Sequence, residues 1–404
     1  MKNIINKYLG VLYILVMSAV IMFLNSCAAQ QVGLSFEQRT VGLYQQGTEL
    51  YNQGNYVQAI YLLNQAIEFN PEFAEAYYVR GLTYQKLDDY ETAAKDLERA
   101  RELPPVTEKP GYDEADIDFQ LALADLGRKD YVAAEKSLNK ALEKRKDFAE
   151  AHFNLAFVAK ETGRTEDAIK HLNLAIEADS SMDKAYVGLG VIYRDKEDWE
   201  KAKDSFSKAI KLNKENKEAY NELGLVYRSQ GELEMATRYF RRSIQIDDEY
   251  LEAHLNLGSV YIDMKSYEQA LATFDKAKDI DPEKPEIYAD IAQARYLLGD
   301  ADGALDNYKK SLELDPNRKL VNYQMGQIYD QQDKTFEAIA AYRQEIAVNP
   351  DHAFSHFNLA VLLHRESQLD AALAEYKTFL TLVPEDDERA RKVRAILQQI
   401  ENLN

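Results

Sequence analysis

The 404-residue chain carries 49 Lys and Arg against 68 Asp and Glu, for a formal net charge of −19, with 46% hydrophobic and 11% aromatic residues. The aromatic content excludes a disordered chain, and the acidity argues against a polynucleotide partner, whose affinity would come from Lys and Arg set against phosphates. One cysteine rules out an intramolecular disulfide, and 9 Pro and 17 Gly are few enough to mark a mostly helical protein.

At the N-terminus Lys2 and Lys7 precede a run without charge from Tyr8 to Leu24, followed by Asn25-Ser26-Cys27. A basic start and an apolar segment of this length form an export signal, or an uncleaved anchor at the lower length limit of a bilayer-spanning helix. Leu24-Asn25-Ser26-Cys27 resembles the lipobox of bacterial lipoprotein precursors. The resemblance implies removal of residues 1–26 and acylation of Cys27. Two or three chains would then hold the protein stably, where one binds with only roughly 10⁴ M⁻¹. Ala28 after the cysteine, in place of the Asp that retains some lipoproteins at the inner membrane, implies an outer-membrane lipoprotein facing the periplasm. The alternative is export without the anchor, with cleavage after Ala28 or Ala29. Residues 27–39 read as a short tether, and loss of 1–26 removes Lys2 and Lys7 but no acid, which makes the remainder more acidic still.

From residue 40 the sequence repeats. Tyr220, Leu223, Gly224 and Tyr227 fall on one helical face, Gly231 interrupts, and Leu233, Ala236, Phe240 and Ile244 begin a second helix. An alanine recurs at 59, 93, 134, 168, 202, 236, 270, 304, 338 and 372, every interval being 34 except the 41 between Ala93 and Ala134. Only Gly or Ala stands at 47, 81, 122, 156, 190, 224, 258, 292, 326 and 360, where a small residue lets two helices approach. Four residues after each alanine is a large side chain, from Leu63 through Phe206 to Tyr376, expected to fill the space between hairpins. Pro71, Pro105, Pro282, Pro316, Pro350 and Pro384 mark the junctions. The third copy, 115–148, is the weakest, with Asp125 where an aromatic is usual. The insert 108–114 before it is expected to interrupt or bend the stack. Val393, Ile396, Leu397 and Ile400 give residues 387–404 the pattern of a polar-backed capping helix.

This pattern resembles the tetratricopeptide repeat, in two copies over 40–107 and eight over 115–386. The resemblance implies an all-α fold, an α-solenoid wound as a right-handed superhelix of about ten hairpins. It also implies a non-enzymatic scaffold whose concave face, lined by the first helices, binds extended peptides or helices of protein partners.

Lys160, Arg194 and Arg228 occupy one phase of three successive repeats and should stack at about 8–10 Å per step, so that the stripe could hold partner carboxylates. All three also sit in the last turn of a helix, where the macrodipole favours a cation with or without a ligand. Asn154 and Asn256 could hydrogen-bond an extended backbone. The family's dicarboxylate clamp is not matched, because its lysine phase holds Tyr44, Tyr78, Phe119 and Phe153, which either line the groove or pack between repeats. His152, His254 and His356 share a phase with Tyr77, Tyr186, Tyr220 and Tyr288 and read as a ring at the core's edge rather than ligands. Gly299-Asp300-Ala301-Asp302-Gly303 begins like a calcium loop, but its terminal ligand would be Ser311. No metal, cofactor or catalytic residue is therefore assigned. The leading reading is a membrane-anchored adaptor of the bacterial envelope, serving complex assembly, secretion or cell-wall remodelling; the alternative is a ligand-binding accessory lipoprotein of a transport system.

Overall fold

The computed structural model describes residues 35–107 and 110–401, the last three by backbone alone. Residues 1–34, with the expected export signal and Cys27, lie outside them, as does the side chain of Ile400. The described residues form helices joined by turns.

Hairpins follow in sequence: α1 (Phe36–Asn52) with α2 (Tyr56–Phe69), α3 (Ala74–Gln85) with α4 (Tyr90–Glu102), α5 (Glu114–Gly127) with α6 (Tyr131–Lys144), and α7 (Ala149–Glu161) with α8 (Thr165–Ala178). Next come α9 (Asp183–Asp195) with α10 (Trp199–Leu212), α11 (Lys217–Ser229) with α12 (Leu233–Ile246), and α13 (Leu251–Asp263) with α14 (Tyr267–Ile280). The last are α15 (Pro285–Leu297) with α16 (Ala301–Leu314), α17 (Val321–Gln331) with α18 (Thr335–Val348), α19 (Ala353–Arg365) with α20 (Leu369–Leu382), and the terminal α21 (Glu388–Glu401). Contacts group the chain into two compact units that divide between Ile192 and Tyr193. Within each unit the second helix of a hairpin packs on the first helix of the next, as α4 does on α5 and α12 on α13.

The recurring alanines, Ala59 to Ala372, are all fully buried. The large residue four positions on lies against the small residue of its own first helix. A Cβ on Gly47 would stand 2.9 Å from Leu63 Cγ, and one on Gly258 only 2.3 Å from Phe274 Cε1. These side chains thus close each hairpin on itself as well as joining the core it shares with the next, as Leu63 does with Phe73 and Ala76.

Each hairpin turn holds one residue in the left-handed region, a glycine at 54, 163, 231 and 299 but Asp88, Lys129, Glu197, Lys265, Asp333 and Ser367 elsewhere. The next residue donates its N–H back to the carbonyl five positions before it, as Asp300 does to Arg295 at 2.9 Å, which closes the first helix in a Schellman turn. Asp89, Asp130, Asp198 and Asp300 then cap the second helix by accepting from the backbone three residues on. Between hairpins Asn70, Asp179, Asn213, Asp247, Asp281 and Asp315 each accept the N–H two residues ahead, and Pro71, Pro282 and Pro316 follow them directly.

Three regions depart from the register. α1 is capped at Ser35 by a reciprocal bond with Gln38, so the first helix begins ahead of residue 40. The insert does not interrupt the stack, since α4 still packs on α5. It is instead tied down by Glu75, a fully buried carboxylate that accepts from Val106 N at 3.1 Å, Thr107 N at 2.7 Å and Thr107 Oγ1 at 2.7 Å. α17 starts late, after Leu320 in the left-handed region, because Glu345 stands buried in a phase held by Ala or Ser in the eight preceding hairpins, from Ala66 to Ser311, and draws in the Leu320 N–H at 2.8 Å. At the far end Ala390 and Val393 of α21 are fully buried on α19 and α20, with Ile396 and Leu397 half-buried beside them.

Candidate functional site

The residues expected to receive a partner fall in both units. In the first, Asn154 on α7 donates Nδ2 to the Glu150 carbonyl of its own helix at 2.8 Å. Lys160, one and a half turns on, is exposed and has no ion-pair partner among the described residues. In the second, the Arg194 guanidinium pairs with Glu222 on α11 and with Asp195 at 2.7 Å. Arg228 pairs with Asp263, the last residue of α13, at 2.7 Å. Asn256 on α13 donates to Asn221 Oδ1 on α11 at 2.9 Å. Adjacent first helices are therefore laced together by the groups that were to face a partner. Two of the three cations are already neutralised, and the stripe is a ladder of internal ion pairs.

Glu222 and Asp290 share the phase of Asn154 and Asn256, a coincidence readable in the sequence but not drawn from it. Burial pushes the Asp290 carboxyl up to about 6, with Glu286 acting in the same direction and Arg318 and Arg228 opposing it. This half-buried acid makes the inner helices of the second unit polar and close to charge balance.

The first unit differs. Phe153, Ala156, Phe157 and Lys160 of α7 face Gly188, Val191 and Ile192 of α9 across a notch of about 140 Å³ floored by Leu172. The notch exists because position 188 has no side chain: a Cβ there would lie 3.0 Å from Leu172 Cδ2. Phe157 is 44% exposed, so a large apolar surface lies open beside an unpaired ammonium. The aromatics Tyr44, Tyr78 and Phe119 offer no comparable lining. Each is covered by an aromatic from the following junction, Phe73 at 5.0 Å, Tyr112 at 4.0 Å and Phe148 at 4.8 Å between ring centroids.

The histidine phase has a role that the sequence did not reveal. His152 Nε2 meets the Lys146 carbonyl at 3.3 Å, His254 Nε2 the Asp248 carbonyl at 2.9 Å, and His356 Nε2 the Pro350 carbonyl at 2.9 Å. Tyr288 donates to the Pro282 carbonyl at 2.9 Å in the same way. In these four repeats the phase pins the first helix to the turn six residues before it. Asp125, the odd residue of the third repeat, is buried against Arg128 at 2.5 Å, and Asp300 of the calcium-like stretch is bound to Arg295 and to the Gly303 N–H. Among the described residues no three His, Cys, Asp or Glu side chains are grouped to hold a metal.

Stacked helical hairpins with an open first-helix face define a helical-repeat protein. Models of the tetratricopeptide repeat match residues 47–88, 74–107, 125–189, 190–231, 217–250, 249–317 and 323–387. The chain belongs to the tetratricopeptide repeat family, whose members are generally non-catalytic protein-interaction scaffolds. Among solved structures it is similar to YrrB, described as a TPR protein with an unusual peptide-binding site, at 26% identity over 47% of this chain and 98% of that one, with a TM-score of 0.39. It is also similar to PilF of Pseudomonas aeruginosa, at 20% identity over 54% and 98% with a TM-score of 0.47. Yeast Tom70 matches at 17% identity over 91% and 97%, with a TM-score of 0.49.

Proposed function

We propose that this protein is a membrane-anchored adaptor that holds a protein partner on the first helices of its repeats, with the notch beside Phe157 as the principal point of attachment. The supporting observation is the pairing of an exposed apolar surface with an uncompensated cation, Phe157 with Lys160, on helices whose remaining charges are spent on one another. Such a notch suits an extended segment that presents an apolar side chain next to a carboxylate. A photo-crosslinking residue at 157 should capture a specific protein in intact cells, and Lys160→Glu should reduce that capture at least tenfold. Equal capture by the charge-reversed variant sinks the assignment.

Cys27 would supply the anchor, in the outer membrane and facing the periplasm, where the scaffold would serve envelope assembly, secretion or wall remodelling. The reading is supported by Lys2, Lys7, the apolar run 8–24 and the lipobox-like Leu24-Asn25-Ser26-Cys27. Labelled fatty acid should be incorporated into the wild type and not into Cys27→Ser.

A further inference from the structure

A second surface lies on the other helix of the sixth hairpin. Along α12 the sequence Thr237-Arg238-Tyr239-Phe240-Arg241-Arg242 places three arginines within five residues of a chain whose formal net charge is −19. They border a groove of about 540 Å³ together with Tyr220, Tyr239 and Glu234.

These arginines are held in an unusual way. Elsewhere the protein answers arginine with carboxylate: Arg80, Arg128, Arg145 and Arg164 each reach one at 2.5–2.7 Å. On α12 the supports are tyrosines. Arg241 donates through Nε at 3.1 Å and Nη2 at 2.6 Å to the Tyr261 hydroxyl. Arg242 lies 5.7 Å from the Tyr220 ring centroid, and its one acid, Glu215, is exposed and stands off at 3.6 Å. Arg238 is exposed and pairs with no carboxylate among the described residues. Tyr239 between them is fixed by stacking on Tyr227, 5.1 Å between centroids and 4° from parallel. A hydroxyl or a ring immobilises a guanidinium without cancelling its charge. For Arg241 and Arg242 the cost of ordering a long side chain is therefore already met while the positive field is left to act outward.

From this geometry we infer that the α12 groove is a second docking site, which takes a short acidic segment of a partner protein with its carboxylates on Arg238 and Arg242. Charge complementarity chooses the occupant. Carboxylates match the fork of a guanidinium, and aromatic side chains between them would rest on Tyr220 and Tyr239. A short segment also engages the arginines alone. An anionic bilayer or a nucleic acid would press its charge against the whole molecule, whose net charge is −19, and Glu234 on the rim would add to the repulsion. The site is independent of the Phe157 notch, since it is built from other helices.

The full chain can be titrated with a fluorescein-labelled nonapeptide of alternating glutamate and tyrosine, and with its glutamine counterpart. Saturable binding of the first, at least tenfold weaker binding of the second, and at least a tenfold loss in Arg238→Glu are expected. Because Arg238 is exposed and unpaired, Arg238→Gln and Arg238→Glu should melt with the wild type, which separates lost binding from lost fold. Undiminished peptide binding in Arg238→Glu overturns the inference. So does displacement of the peptide by inorganic phosphate at equal concentration, which would mark a bare anion site. Arg238-dependent binding to phosphatidylglycerol vesicles in preference to the peptide would assign the groove to membrane and overturn it equally.

Discussion

At position 258 a hydrogen atom faces the edge of Phe274, and a methyl group there would overlap the ring at 2.3 Å. Phe274 is fully buried and cannot swing aside. Gly258→Ala should therefore destabilise the protein by about 1–3 kcal/mol, the usual cost of overfilling a packed interior, despite alanine's better helix propensity. Urea unfolding monitored by circular dichroism measures it, and an unchanged midpoint would contradict the packing described. A second residue-scale prediction concerns His152 and His171, whose Nδ1 atoms are 3.2 Å apart on α7 and α8. Burial lowers the pKa of both; His152 and Lys170 depress His171 further, against Asp167 and Glu135, while the Lys146 carbonyl and Glu177 oppose the shift of His152. Both folded values lie below the ordinary 6.5, so the unfolded chain binds protons first. Stability is complete above pH 6.5 and falls as the pH drops below it. The loss between pH 7.5 and 5.5 should be smaller in His171→Gln than in the wild type. At this scale the sequence showed which positions are small and which are large, because ten copies average out accident. It did not show which neighbour each large residue meets, since a periodicity defines a face and not the surface opposite. Nor did it reveal that Arg194 and Arg228 are paired: Glu222 and Asp263 belong to two different phases, and no single-phase comparison brings them beside the arginines.

At the scale of elements, the insert between α4 and α5 is the feature whose consequence was misjudged. Seven extra residues read as a break, yet the chain uses them as a strap. The fastening is Glu75, whose phase is an acid in several other repeats but which alone among them is fully buried and holds the insert, and Tyr78 stacks on Tyr112 at 4.0 Å to hold the other end. Glu75→Ala should free two backbone N–H groups and one hydroxyl. An unsatisfied buried donor costs about 1–3 kcal/mol, although part is recovered if the strap opens to water. The variant should consequently be cut by protease within 103–113 far faster than the wild type while its other helices resist. Equal digestion would show that the strap is held by something else. The paired helices themselves were legible, since small, alanine and large positions recur with the 34-residue period. α17 was not, because its late start depends on one buried acid, Glu345, on a different helix.

For the whole molecule, an array stabilised by contacts between neighbours has ends that differ from its middle. α21 closes one of them by covering Phe379, Tyr376 and Leu363 with Ala390 and Val393. Removal of residues 388–404 should leave that apolar end open, and light scattering should then report concentration-dependent association that the full chain does not show. A monomeric, unchanged truncation would deny α21 its capping role. The repeat count predicted this architecture nearly completely. It could not predict the grouping into two units at Ile192 and Tyr193, since the hairpin that contains the division has the same alanine, small and large positions as the others. Function was legible only as class, because shared positions build the framework, while Phe157 and Arg238, which could choose a partner, have no counterpart in the neighbouring repeats and Lys160 differs from Arg194 and Arg228 of its phase in having no ion-pair partner among the described residues.

The bond that four of the first helices make to the turn six residues before them bears on how such a chain can lengthen. His254 and Tyr288 make it in adjacent repeats with different chemistry, and both partners of the bond lie inside one 34-residue period. A gene segment copied in any frame that keeps a junction with its following helix would carry the joint with it. New repeats could therefore enter by duplication already fitted to the old ones, with the inner surface free to diverge afterwards.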